Sequence, residues 1–320
     1  MTSHDVVQQM MAAGLDEPPL PLDLSGKIRR FGPKKSQWYR LSEMRTAGGS
    51  FVVVGSFGDW RGEKHRVSVD WRGISEDERA TLAAAREQAR QAQEAERRRA
   101  AELAACSAAE LWARAERDGQ SDYLKRKGVQ PEACRYLPGG AVVIPLLRYD
   151  EPRETALKAL QIIRADGAKR FTKGFQKPGV CLRLGHVVVG EPLLVCEGYA
   201  TGLTLRMAVD RRLPVFVALD AGNLLPVAEL LRGLHPQSHI LLCADDDWRT
   251  DGNPGRHKAH KVSKQVADTA YTWPCFRPGR RGPKDTDFND LHAREGLAAV
   301  RRQLMHVLPL IGSDLLHAAA

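Results

Sequence analysis

The chain has 320 residues, 43% of them hydrophobic and 27% charged, and 48 basic against 39 acidic residues leave a formal net charge of +9. That composition supports a buried core and excludes a disordered or collagen-like chain, and no run approaches the 18 apolar residues of a membrane-spanning helix. The basic excess favours polyanionic partners, nucleic acid first.

Residues 1–20 read as an amphipathic helical start followed by a proline-rich joint at Pro18, Pro19 and Pro21. Residues 22–72 read as short strands with apolar faces supplied by Trp38, Tyr39, Phe51–Val54, Phe57, Trp60 and Trp71, and with turns at Gly48-Gly49 and Gly55. From Ser75 to about Glu116 the chain is rich in Ala, Arg, Glu and Gln without Pro or Gly, which predicts a long, mostly solvated helix. Glu87–Arg99 has no large apolar residues at heptad spacing, so a coiled coil is the weaker reading. Val142–Ile144 and Leu157–Ile163 read as strands, joined through a turn containing Tyr149, Asp150 and Pro152. A basic stretch follows, with Arg164, Lys169, Arg170, Lys173 and Lys177 interleaved by Phe171 and Phe175.

Residues 191–310 alternate. Apolar runs at Leu193–Cys196, Val215–Leu219 and Ile240–Cys243, with a fourth strand at Tyr271–Trp273, alternate with helical patterns at Ala200–Val209, Val227–Leu234 and His257–Thr269. A final helix is expected over about Asp290–Val307. Short apolar runs alternating with helices predict β-α-β units and a parallel sheet, so the fold class is α/β. The expected domains are 1–74 (small, β-rich), 75–116 (helical linker), 117–190 (basic mixed α+β subdomain), 191–310 (α/β catalytic domain) and a tail at 311–320.

No two of the six cysteines form a C-x-x-C pair, so neither a zinc site nor a disulfide framework is expected. Cys196 and Cys243 end apolar runs, where a reduced thiol acts as a small hydrophobe. Met1–Leu15 has no basic region followed by an apolar stretch, so no signal peptide is expected and the expected compartment is the cytoplasm.

The acids fall at strand ends. Glu197 follows the first run, Asp220 the second, and Asp245, Asp246 and Asp247 the third after one Ala. Sites in open parallel sheets form outside the carboxyl ends of the strands, so three strands deliver carboxylates to one rim. Clustered carboxylates repel, and a hard divalent cation removes the conflict while neutralising charge in phosphoryl or nucleotidyl transfer. In a D-x-D loop alternate residues point the same way, which singles out Asp245 and Asp247. Bland readings stand beside these: Asp220 as a helix N-cap, and the Asp run as a solvated loop.

Leu193–Thr201, with its strand ending in Glu197-Gly198, resembles the first TOPRIM motif. Asp245–Asp247 followed by Gly252–Gly255 and Lys258-Ala259 resembles the second, and Lys284–Leu291, containing Asp-Phe-Asn-Asp-Leu, is similar to the acidic motif of DnaG-type primases of phages, plasmids and mobile elements. Upstream, Tyr123-Leu124, Lys127–Val129, Ile144–Leu146, Leu160–Ile163 and Asp166–Phe171 resemble the basic part of a primase core, so the likeness covers roughly 110–305. It implies a Rossmann-like TOPRIM domain that makes short RNA primers on single-stranded DNA from nucleoside triphosphates, alongside a separate replicative helicase and without a membrane. It further implies magnesium, or manganese in its place, and no zinc, with Asp245, Asp247, Asp285, Asp287 and Glu197 as metal ligands and Glu197 as general acid or base. Lys169, Arg170, Lys173, Arg164 and Lys258 would bind template or nucleotide. One departure is Thr201, where many relatives carry an acid four residues after the Glu. Two alternatives remain at this level: a TOPRIM nuclease, and a non-catalytic nucleic-acid-binding accessory protein of replication or conjugation.

Overall fold

The computed structural model describes residues 3–45, 51–60, 62–68 and 76–311. The chain divides into two units, Met1–Ala95 and Glu96–Ala320. Among the described residues no helix is long and apolar enough to cross a membrane.

The described residues of the first unit hold a four-stranded antiparallel meander, a helix before it and the start of a long helix after it. Helix α1 (Ser3–Ala12) precedes β1 (Ser25–Phe31), β2 (Gln37–Arg45), β3 (Phe51–Asp59) and β4 (Lys64–Arg66). Successive side chains of a strand alternate between faces. Tyr39, Leu41, Val53 and Phe57 therefore share one face, and they close a small core with Val6, Val7 and Met10 of α1. Gly55 is not the expected turn. It lies inside β3 opposite Leu41, where a Cβ would come within 2.1 Å of the Arg40 carbonyl oxygen, so it marks a close backbone approach. Gly48-Gly49 and Trp71 lie outside the described residues.

Helix α2 (Glu76–Arg114) begins in the first unit and ends in the second. Its C-terminal part is not solvated: Ala108, Leu111 and Trp112 pack on one face of the next sheet. One alanine, one leucine and one tryptophan carry this contact, all of them C-terminal to the Glu87–Arg99 stretch that lacks large apolar residues. After α3 (Asp122–Lys127) comes the antiparallel sheet of β5 (Arg135–Leu137), β6 (Ala141–Leu147), β7 (Leu157–Ile163) and β8 (Lys169–Phe171), in that order. Strand β7 has the bounds expected of it. Val143, Leu160 and Ile162 face α2, whereas Val142, Ile144, Leu146, Ala159 and Ile163 face the main core.

The remaining elements are β9 (Leu182–Leu184), β10 (Leu193–Cys196), α4 (Tyr199–Ala208), β11 (Val215–Val217), α5 (Leu224–Leu234), β12 (Ile240–Cys243), α6 (Pro254–Gln265), β13 (Thr269–Thr272), α7 (Phe288–Glu295) and α8 (Leu297–Ile311). The sheet order is β13-β12-β10-β11-β9. Its strands are parallel except β9, an antiparallel edge paired Leu184 to Val215 that the apolar pattern does not announce. Both faces are covered, as a parallel sheet requires. Leu194, Cys196, Leu241 and Cys243 pack toward α4, α7 and α8; Leu193, Val195, Ile240 and Leu242 pack toward α5 and α6. The expected single C-terminal helix is two, because Gly296 takes a φ of 82° between α7 and α8.

Candidate active site

Parallel pairing puts Cys196 beside Cys243 and Val217. The chain leaves β10 through Glu197 and β12 through Ala244 and Asp245, so both acids arrive at one rim. Cys196 and Cys243 are buried beneath them. Glu197 Oε1 and Asp245 Oδ1 are buried and accept no hydrogen bond. Burial first, then the charge of Asp247 and that of Asp220, pushes the Glu197 carboxyl up to about 7, against the pull of the Asp245 and Ala221 backbone N–H groups. Asp245 is raised well above the usual carboxylate range by burial and by Glu197, Asp287 and Asp247. The Lys169 ammonium acts in the opposite direction on Asp245.

Asp247 sits at the start of α6 and accepts the Gly255 N–H on Oδ2 at 3.1 Å. A helix N-terminus favours a negative charge there. Gly255 is required by space: a Cβ would stand 2.3 Å from the Asp245 carbonyl oxygen and 3.2 Å from the Asp245 Cβ. Gly255→Ala should displace the acidic loop. We expect a loss of about 2 kcal/mol in stability, read by urea denaturation, with activity falling further than stability accounts for.

Asp246, the middle acid that D-x-D spacing passes over, is turned away from the others and buried. It receives Arg281 Nη1 on Oδ2 (2.7 Å) and Asn253 Nδ2 on Oδ1 (2.6 Å), while Arg281 Nη2 donates to its carbonyl at 2.7 Å. Arg256 stands 3.5 Å from Oδ1. The three consecutive aspartates thus divide into two that face the rim and one that anchors the loop.

The closing motif divides likewise. Asp285 is committed: Arg294 Nε donates to Oδ2 at 2.7 Å and the Gly282 N–H donates to the same oxygen at 2.6 Å. The Arg294 guanidinium holds its carboxyl below the usual carboxylate range. The structure therefore does not bring Asp285 to the rim with Glu197 and Asp245. Asp287 caps α7 through a reciprocal box with Asp290 and accepts the Thr201 hydroxyl on Oδ2 at 3.0 Å. Thr201, which stands where an acid was expected, joins the first acidic motif to the last. Phe288 and Leu291 are core residues, and the buried Asn289 amide donates to Lys127 O (2.8 Å) and Thr204 Oγ1 (3.0 Å).

The basic residues separate by face. Lys169 and Phe171 pair with Ile163 and Gln161, on the side of β8 that faces the main core, and Arg170 pairs with Ile162 on the side that faces α2. Arg164, Lys173 and Lys258 are exposed. Lys177 donates to Asp220 Oδ2, and Asp220 also caps the turn Ala221–Asn223 through the Gly222 N–H.

Orphaned oxygens on Glu197 and Asp245, beside further carboxylates whose charge pushes the pKa of both up, fit a divalent cation. Among the described residues no three His, Cys, Asp or Glu side chains form a closed ligand cage. Magnesium does not need one, since it binds through one or two carboxylates and fills its shell with waters and substrate phosphates.

Residues 192–298 match the Toprim domain family. Over a 197-position alignment that covers 55% of the chain, the sequence is 36% identical to the DNA primase TraC of Escherichia coli, of which the chain covers 18%. Among solved structures, the primase fragment of the bacteriophage T7 primase-helicase aligns with a TM-score of 0.40 at 15% identity, over 57% of this chain and 70% of that one. The DnaG catalytic core aligns at 0.35 and 15%, over 60% and 65%.

Proposed function

We propose that this chain, which carries a Toprim domain over residues 192–298, is a DNA primase that joins ribonucleotides on a single-stranded DNA template. One observation carries the reading: Glu197, Asp245 and Asp247 converge on a rim that Lys169 also reaches, with buried, unpartnered oxygens on the first two. The likeness to the DNA primase TraC, confined to part of that protein, supports the same reading.

Asp245 and Asp247 would hold magnesium, with manganese as substitute, and Glu197 would complete the set with Asp287 behind it. When bound, the ion neutralises charge on the triphosphate and lowers the pKa of the attacking hydroxyl. Asp247 is fixed by the Gly255 N–H, so its free oxygen keeps one direction. Glu197 Oε1, buried and without a donor, is placed to take the proton of the 3′-hydroxyl as it attacks the α-phosphorus and pyrophosphate departs. Lys169 faces the same acids and offers its ammonium to the triphosphate. Arg164, Arg170 and Lys173 would line the template on exposed surface, and Lys258 would reach the nucleotide from α6. Asp285, paired to Arg294, serves by holding the loop. A separate replicative helicase is the partner this reading adds.

The test is direct. Purified protein, single-stranded DNA, labelled ribonucleotides and magnesium should give short template-dependent oligonucleotides that vanish with chelator. Cleavage of the DNA without synthesis would replace this reading with a nuclease.

A further inference from the structure

The four-stranded sheet of the first unit has a second face that the core does not use. Cross-strand partners share a face. One row runs Arg30, Trp38, Gly58, Lys64, and the next runs Ile28, Arg40, Ser56, Arg66. Gly58 has no side chain, so Lys64 Nζ reaches across it to 5.8 Å from the centre of the Trp38 ring. Trp60, directly after β3, lies 5.4 Å from Trp38, and the Arg30 guanidinium stands 5.0 Å from its ring centre. Trp38 is covered by these neighbours, but Trp60 is 50% exposed and Ile28 49%.

Charge follows the same strands. Residues 25–66 contain ten Lys and Arg against three Asp and Glu, which is +7 of the chain's +9. Most of the basic excess therefore belongs to this small sheet and not to the Toprim part. A half-exposed indole backed by a second indole and flanked by two cations is a built surface and not a scattered apolar residue. It matches what a single strand offers: phosphates for Arg and Lys, and unpaired base faces for Trp. A duplex hides its base faces, so a single strand is the polyanion that offers phosphates and open ring faces together.

We propose that the face carrying Trp60, Trp38, Arg30 and Lys64 is a stacking platform for single-stranded DNA, separate from the acidic rim. Trp60 stacks on a base, Trp38 backs it, and Arg30 and Lys64 take the flanking phosphates. The choice of DNA over RNA rests on the primase reading; the stacking does not.

The test uses the full chain in EDTA without nucleotides, titrated against fluorescein-labelled dT20 and read by anisotropy. Trp60→Ala should weaken binding about tenfold, and Trp60→Phe should keep most of it. Arg30→Gln with Lys64→Gln should flatten the dependence of log affinity on log salt by about 0.7 for each phosphate left without its cation. Circular dichroism and Tm should match wild type in every variant, as expected for exposed positions. Affinity within twofold of wild type for both Trp60→Ala and the double Gln variant would overturn the platform, as would equal binding of a 20-base-pair duplex with the same indifference to Trp60. A tenfold preference for rU20 would overturn the choice of DNA. Because the assay contains no metal or triphosphate, a chain that binds through Trp60 but makes no primer would refute the primase reading and leave this one standing.

Discussion

Asp245→Asn should cut primer synthesis about a hundredfold or more, and in chelator the same variant should be more stable than wild type. The two effects share one cause. Asp245 is half-buried among Glu197, Asp247 and Asp287, with its Oδ1 buried and without a hydrogen-bond donor. In the proposed synthesis that oxygen would hold the metal, and losing it would remove charge stabilisation worth several kcal/mol. In the metal-free protein the same charge is a liability, because an amide there repels no neighbour. A pH series separates this from a generic effect. Glu197 titrates at about 7 in the folded chain, against 4.5 when unperturbed, and Asp245 is shifted the same way. A group whose folded pKa is raised favours the fold below its unfolded pKa, and that support is lost as pH rises through the folded value. Metal-free wild type should therefore lose stability between about pH 4.5 and pH 7, on the order of 3 kcal/mol for Glu197. Glu197→Gln should flatten that decline, and magnesium should do the same in wild type. Differential scanning fluorimetry across this range, with chelator or magnesium, reads all of it; a metal-free Tm that rises from pH 5 to pH 7 equally in wild type and Glu197→Gln contradicts the repulsive cluster.

The largest loss of stability is expected from Asp246→Ala. Arg281 is mostly enclosed and donates to both the carboxylate and the carbonyl of this residue, and it also lies 4.9 Å from the Trp248 ring centre and 5.0 Å from that of Phe276. Removing the carboxylate leaves the guanidinium without its counter-charge, at a cost of about 3 kcal/mol. For a domain of this size that is roughly a 10 °C fall in Tm. Asp246→Asn keeps a hydrogen-bond acceptor and should lose less than half as much. A double-mutant cycle with Arg281→Ala should give a coupling of at least about 1 kcal/mol. Simple additivity of the two single variants would mean that Asp246 acts alone.

These two aspartates mark where the sequence is readable and where it is not. Asp245 follows an apolar run whose bounds, Ile240–Cys243, are those of β12, so its position at a strand end is a local property. The role of Asp246 depends on Arg281, thirty-five residues away, and no spacing rule reports that. Asp285 fails for the same reason: its partner Arg294 looks like any helix-surface arginine until α7 folds back. Strand β9 has three residues, too few for a period, and it is a strand only because β11 pairs with it. Gly296 is visible in the sequence, but an isolated Gly in a helical pattern is ambiguous between a tolerated residue and a stop. For α2, the packing is made by Ala108, Leu111 and Trp112 in its last turns, too short a stretch for a period to show against the long charged helix before it.

The Asn289 amide has a consequence in time. It ties Lys127 to Thr204 across 162 and 85 residues of chain, while Thr201 reaches 86 residues to Asp287. Pairings so distant in sequence carry a large loop-closure entropy and form late. On a ribosome, the sheet and the three acids at its strand ends can be complete before Asp287 and Asn289 have emerged. The order of synthesis thus adds Asp287 to the repelling set last, after the sheet that carries Glu197, Asp245 and Asp247 has formed.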